Sequence, residues 1–155
     1  MLVLTFRLGS ERYAIEAGDV VEVIPLVTLR RMPRSPKHLL GVFSYRGRVM
    51  PVLDLCALAT GKHLRPVMSS RVVVVNLAAK GEREQLLGVA VERVTDAVEV
   101  SPAALQPAAV EVDDARFLGQ MVTTESGLVQ LVKVTDLLPA DVRARLFPAE
   151  DERAS

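Results

Sequence analysis

Apolar residues along this chain come in short runs, broken at close intervals by glycine, proline or charge, a rhythm that suits strands better than helices. Residues Leu2 to Leu8 (LVLTFRL), Arg12 to Glu16 (RYAIE), Arg48 to Leu53 (RVMPVL), Arg71 to Ala78 (RVVVVNLA), Gln85 to Glu92 (QLLGVAVE) and Gly127 to Val134 (GLVQLVKV) are rich in Val and Leu and read as strands. Gly9-Ser10 and Ala79 to Glu84 (AAKGER) between such runs signal hairpins, whereas Pro33, Pro36, Pro102 and Pro107 mark irregular connections. Only the tail changes period. From Thr135 to Phe147, Leu137, Leu138, Val142 and Leu146 recur near helical spacing, with Pro139 and Asp141 suited to a helix start, so a short C-terminal helix is predicted.

The pattern repeats. AIEAGDVVEV, Ala14 to Val23, resembles AVERVTDAVEV, Ala90 to Val100, with one residue inserted. Each is followed, after a Pro-containing loop, by a second related pair: GVFSYRGRVMPVLDL from Gly41 and GQMVTTESGLVQLVKVTDLL from Gly119. Each half thus supplies a strand hairpin, an Asp-x-Val-Glu-Val-like strand, a loop, a further hairpin and Asp-Leu. Closing a sheet removes the exposed edges that short antiparallel strands leave open, so the fold class is mainly all-β, two small β-barrel subdomains with a C-terminal helix. Length fits this as one domain over residues 1–150, with the polar end DERAS, 151–155, expected to be a disordered tail.

Composition narrows the partners. Half of the residues are hydrophobic and a quarter charged, which makes a globular core the default. The 19 basic and 19 acidic residues cancel, and the longest basic block is Arg30-Arg31, so neither nucleic acid nor anionic lipid is an expected partner. The apolar start MLVLTF is cut short by Arg7, and the stretch from Val72 to Ala79 is far below the ~18 residues of a membrane span, so a protein not inserted in membranes is expected. Cys56 is the only cysteine, which suits a reducing, cytoplasmic setting and leaves no disulfide framework.

No catalytic constellation assembles from the residues. His38 and His63 sit in no metal-binding motif and read as surface or loop histidines, so neither metal nor cofactor is expected. Cys56 has no visible helper and reads as a buried, inert thiol. Asp54 and Asp136 are a possible hydrolytic pair drawn from the two halves, but each precedes a possible helical turn and reads better as an N-cap. Glu82, Glu84, Asp113 and Asp114 lie in loop-like sequence and read as solvated, and Gly-rich phosphate loops are missing.

LTFRLGSERYAIEAGDVVEVI, then RMPRSPKHLLGVFSYRGRVMPVLDL, then LLGVAVERVTDAVEV together resemble, in order and spacing, the CheW family of chemotaxis coupling proteins, over residues 2 to about 147. The resemblance implies two intertwined five-stranded SH3-like barrels, no enzymatic activity and no cofactor. It implies an adaptor that bridges the regulatory domain of a CheA-type histidine kinase and the helical cytoplasmic tips of chemoreceptors, recruited to membrane-associated arrays. Related adaptors serve chemosensory pathways that control pili, biofilm or cyclic-di-GMP. The chain departs from the family at Ser44-Tyr45, where Asn-Leu is usual, and at Cys56, where a basic residue is frequent. The rival readings are a small-ligand-binding regulatory β-barrel and a hydrolase using Asp54 and Asp136.

Carried over position by position, the family's binding-sensitive residues fall on Val20, Glu22, Gly41, Arg46, Gly47, Gly88 and Val94, and the resemblance implies a pair between Arg46 and Glu22. An arginine flanked by apolar strands needs a bidentate acceptor, and Glu22 lies in the equally apolar VVEVI. Three roles stay open for Arg46: shaping a binding groove through that pair, touching a partner, or occupying plain surface. The glycines are explained either by turns and bulges or by the close approach of a partner helix. Val20 and Val94 are core on composition and contact residues only by resemblance.

Overall fold

The structure, a computed structural model, describes residues 1–108 and 115–148, and within them the chain forms ten strands and two short helices. The strands are β1 (Leu2–Leu8), β2 (Glu11–Glu16), β3 (Val20–Pro25), β4 (Leu39–Tyr45), β5 (Arg48–Asp54), β6 (Arg71–Asn76), β7 (Leu86–Val91), β8 (Arg93–Glu99), β9 (Leu118–Thr124) and β10 (Gly127–Val132). Helix α1 spans Leu55–Thr60 and helix α2 spans Ala140–Leu146. Asp113, Asp114 and the tail at 151–155 lie outside the described residues.

Two five-stranded sheets result, ordered β8-β1-β2-β10-β9 and β3-β6-β7-β5-β4. Advancing every strand of the second order by five, and wrapping past ten, reproduces the first order. The duplication seen in the sequence is therefore present in the topology, and it is interleaved: the β1–β2 hairpin of the first half completes the sheet of the second half. Each sheet joins its two chain segments through a parallel pair, β2 with β10 (Val129 opposite Arg12) and β5 with β7 (Val52 opposite Gly88). The chain after β3 turns back so that Arg30 bridges Val42 of β4, and the chain after β8 does the same with Gln106 and Met121 of β9. Each bridge uses two backbone hydrogen bonds of 2.7–2.9 Å and draws an open edge shut into a barrel.

Burial follows strand position. Central β6 and β7 are covered on both faces, which explains the unbroken Val72–Val75 and Leu86–Val91 runs, while edge strand β3 alternates between half-buried and exposed residues. One apolar cluster joins Phe6, Leu8, Tyr13 and Ile15 of the first sheet to Val72–Val75 and Leu87 of the second, so the barrels share a core. A smaller cluster around Val3, Ala14, Val122 and Val129 fills the first barrel. β6 ends two residues before the sequence suggests, because the Asn76 side chain accepts the backbone N–H groups of Ala78 and Gln85 and turns the chain.

Asp54 is the N-cap of α1, as its sequence position suggests. Its carboxylate is buried, with Oδ1 accepting Ala57 N–H at 2.9 Å and Oδ2 accepting Leu64 N–H at 3.0 Å. Asp136 corrects the parallel expectation: it closes the 3-10 turn Val134–Asp136, stays exposed and lies 3.7 Å from Lys133 Nζ, with no side-chain cap. A carboxylate one turn short of a helix has no free N–H groups in reach, and Pro139 takes the N-cap place of α2 instead. Glu84 pairs with Arg48 at 3.4 Å, both exposed. Because Asp54 satisfies two backbone donors away from water, Asp54→Ala should lower the unfolding free energy by about 2 kcal/mol or more, from the lost cap and the orphaned N–H groups. Urea unfolding monitored by circular dichroism checks this, and a loss below about 0.5 kcal/mol would show that water replaces the carboxylate without cost.

Candidate functional site

Residues predicted from the two chain segments around β3 and the β4–β5 hairpin do meet. Arg46 and Gly47 form the two-residue hairpin loop, with φ of 50° and 77°, the left-handed pair that a type I′ turn requires. Glycine suits the second place, whereas arginine in the first is held by its contacts. Arg46 Nη2 donates to Glu22 Oε1 at 3.1 Å, and the guanidinium lies 5.0 Å above the centre of the Tyr45 ring. The Tyr45 hydroxyl donates to the same Glu22 oxygen. Burial first, then the bond to Glu22, pushes the Tyr45 phenol above its ordinary value, so it remains a donor.

The pair exists but is not buried: the side chains of Arg46 and Glu22 are 62% and 41% exposed. A hairpin tip projects beyond the sheet, so its apolar flanks in the sequence do not surround it in space. Tyr45, noticed in the sequence only as a departure from the family pattern, is the buried member, 7% exposed, and ties the hairpin to edge strand β3. The signal was that departure, beside an arginine that needed orienting.

Gly41 and Gly88 act by absence of a side chain. A Cβ at Gly41 (φ 154°) would stand 2.6 Å from the Arg30 carbonyl oxygen, so only glycine lets the 26–30 segment lie across β4 and close the barrel. A Cβ at Gly88, in the centre of buried β7, would stand 2.8 Å from Val72 Cγ1 and 3.0 Å from Val52 Cγ2. Val20 and Val94 stand on edge strands of different sheets, half-buried, and both pack against the shared core. The seven residues thus divide: Glu22, Arg46 and Gly47 form one cluster with Tyr45, and Val20, Gly41, Gly88 and Val94 occupy separate places in the barrels.

The repeat mate of this cluster is built otherwise. Glu99 occupies the place of Glu22 and binds the N-terminal amine of Met1 at 3.0 Å, while the second hairpin tip is Glu125-Ser126 and offers no cation. The hydrolytic pair is not assembled, since Asp54 and Asp136 each have their own partners. Cys56 is buried, burial pushes its thiol up, and its S–H donates to Glu92 at 3.2 Å. His63 is exposed, 3.7 Å from Asp54 Oδ2, and His38 is a half-buried loop residue. Among the described residues no group of three His, Cys, Asp or Glu is placed to hold a metal ion, and no helix is long and apolar enough to cross a membrane. Three cavities of about 550, 560 and 640 Å³ include none of the seven residues.

Exposure sets the size of the Arg46–Glu22 coupling. A double-mutant cycle of Arg46→Ala and Glu22→Ala should give about 0–1 kcal/mol, the range for solvent-exposed pairs. Glu22→Ala should cost more than Arg46→Ala, because it also strips the buried Tyr45 hydroxyl of its acceptor, a loss of about 1–3 kcal/mol. Equal losses from the two single variants would show that the tyrosine bond contributes nothing.

The comparisons with known proteins agree with this geometry. Residues 2–142 match the CheW-like domain. The chemotaxis protein CheW of Helicobacter pylori is 26% identical over 137 residues, covering 88% of this chain and 80% of that protein. The CheW of Rhizobium meliloti is 24% identical over 143 residues, covering 91% and 89%. The crystal structure of the scaffolding protein TtCheW from Thermoanaerobacter tengcongensis superposes with a TM-score of 0.77 at 25% identity, covering 91% of this chain and 89% of its own. Fold, interleaved repeat and sequence agree: the chain belongs to the CheW-like domain family.

Proposed function

We propose that this chain is a non-enzymatic adaptor that couples the helical cytoplasmic tip of a chemoreceptor to the regulatory domain of a CheA-type histidine kinase, in chemotaxis or a related chemosensory pathway. The observation that carries the reading is the CheW-like match across residues 2–142, with both barrels of the related scaffold present. Two docking faces on one rigid body are what a bridge needs, and a shared core makes the two barrels move as one. The working site is cytoplasmic, beneath membrane-associated receptor arrays.

In this reading the Glu22–Tyr45–Arg46 cluster holds the β4–β5 tip against edge strand β3 and so fixes one docking face. Val20 and Val94 supply half-buried apolar positions on the exposed edges of the two barrels, where a helix or strand of a partner can cover them. Gly41 and Gly88 maintain the barrel that carries the face. The small-ligand reading is not favoured: the buried polar side chains among the described residues, Thr5, Asp54 and Ser70, line none of the three cavities, so those cavities lack a buried polar side chain to fix a ligand.

Bridging is tested by asking for a ternary complex. The purified chain, a kinase regulatory domain and a receptor-tip fragment from the same cell should sediment together, and Val94→Asp should weaken capture of the receptor fragment with the thermal transition retained. A collapsed transition would make Val94 a core residue. Binding of neither partner at about tens of micromolar would remove the adaptor reading.

A further inference from the structure

Three arginines lie side by side across the first barrel. Arg7 of β1 is paired with Arg93 of β8 on one side and with Arg12 of β2 on the other, and residues directly opposite one another in neighbouring strands point to the same face. That face is the barrel interior. Arg7 follows Val3 and Thr5 at every second residue, Arg12 precedes Ala14 and stands opposite Val129, and Val3, Ala14 and Val129 fill the barrel. The interior therefore grades from apolar to polar to cationic as it opens. Thr5, which is buried, and Thr95 join their hydroxyls at 2.7 Å two residues further in than Arg7; Arg12 is half-buried, and Arg7 and Arg93 stand exposed at the open end.

Like charges directly opposite in a sheet repel, and none of these three guanidinium groups forms an ion pair with a described residue. The nearby carboxylates are committed elsewhere: Glu92 accepts the Gly9 N–H and the Cys56 S–H, Asp96 accepts the Ala97 N–H, and Glu11 alternates to the other face of β2. Arg12 Nε is shut off from water without a hydrogen-bond partner, a cost that folded proteins seldom leave standing. We propose that the open end of the first barrel binds a phosphate group of a small soluble molecule, with Arg7, Arg12 and Arg93 as its donors. Two interstrand spacings, about 10 Å, separate Arg12 from Arg93 along the backbone, a width that long side chains close around one small group. A phosphate brings two negative charges and oxygens for several guanidinium groups at once, whereas a lone carboxylate brings one charge to three. The site lies outside the three cavities described above, and it goes beyond the adaptor reading without depending on it. One phosphate there ties β8 to the swapped β1–β2 hairpin, strands from opposite halves of the chain.

The test uses the purified full chain, inorganic phosphate as the probe and thermal unfolding as the readout, at constant ionic strength. The wild type should gain about 5 °C at phosphate concentrations about a hundredfold above half-saturation, along a saturating curve. Arg93→Gln and, separately, Arg7→Gln should raise the transition of the phosphate-free protein, because each relieves like-charge repulsion, and should remove most of the phosphate shift. Arg31→Gln, at an exposed position of the second barrel, should keep the full shift. No shift in the wild type, or one shared equally by all four proteins, would overturn the proposal. A lower phosphate-free transition in both Arg93→Gln and Arg7→Gln would overturn it too, since the row would then carry no repulsion for an anion to relieve. Acetate matching phosphate would replace the phosphate by a carboxylate, and capture on phosphatidic-acid vesicles without a response to inorganic phosphate would replace the soluble molecule by a membrane; either result overturns the proposal. None of these outcomes bears on binding of the kinase domain or the receptor tip.

Discussion

The parallel pairs, β2 with β10 and β5 with β7, are the constraint on which the rest of the molecule depends. An isolated β1–β2 hairpin has little surface to bury and is marginal in water. It becomes stable only when the second half of the chain supplies β8 on one side and β10 on the other. The first barrel can therefore not form from one contiguous half of the sequence, whereas the second is built from the continuous stretch 20–91. The shared core follows, because Phe6, Leu8 and Ile15 must face the second barrel while their strands belong to the first. Long-range contacts of this kind delay folding but yield one body rather than two loosely tethered ones.

The edges are the second consequence. A five-stranded sheet that nearly closes leaves two strands with unpaired backbone, and here the chain itself returns through Arg30 and Gln106 to cover part of each. The rest of the seam in the second barrel is spanned by side chains, Glu22 across to Tyr45 and Arg46. In the first barrel the matching glutamate binds the amino terminus, and the tip of the β9–β10 hairpin is Glu125-Ser126. The duplication was thus kept in backbone and abandoned in the side chains that line the seams, which is where a molecule contacting two different partners has reason to differ between its halves.

Much of the architecture was legible in the sequence because strand periodicity and the repeat are local patterns. The six Val- and Leu-rich runs, the additional strands implied by the repeat, the tail helix and the Asp54 cap all appear where the residues suggested. What the sequence did not disclose is relational. The swap of the β1–β2 hairpin leaves no mark on composition, the exposure of Arg46 depends on how far a tip projects, and the bond of Tyr45 to Glu22 joins the two edge strands of one sheet. Asp136 misled because capping needs a helix start at the next residue, and the chain spends three residues on a tight turn and Pro139 before α2 begins.

Gly41 shows how a position with no contacts of its own comes to matter for a surface. Its missing side chain leaves room for the Arg30 carbonyl, the bridge from Arg30 to Val42 closes the barrel, and that closure carries the exposed basic side chains between β3 and β4. A larger residue there acts on the surface by moving backbone, without touching anything that binds. Gly88 differs, since its neighbours are Val72, Val52 and Met50 in the core, and a side chain added there strains packing from within. Two glycines grouped together by resemblance are thus separated by physics: one governs where a surface lies, the other whether the barrel beneath it packs.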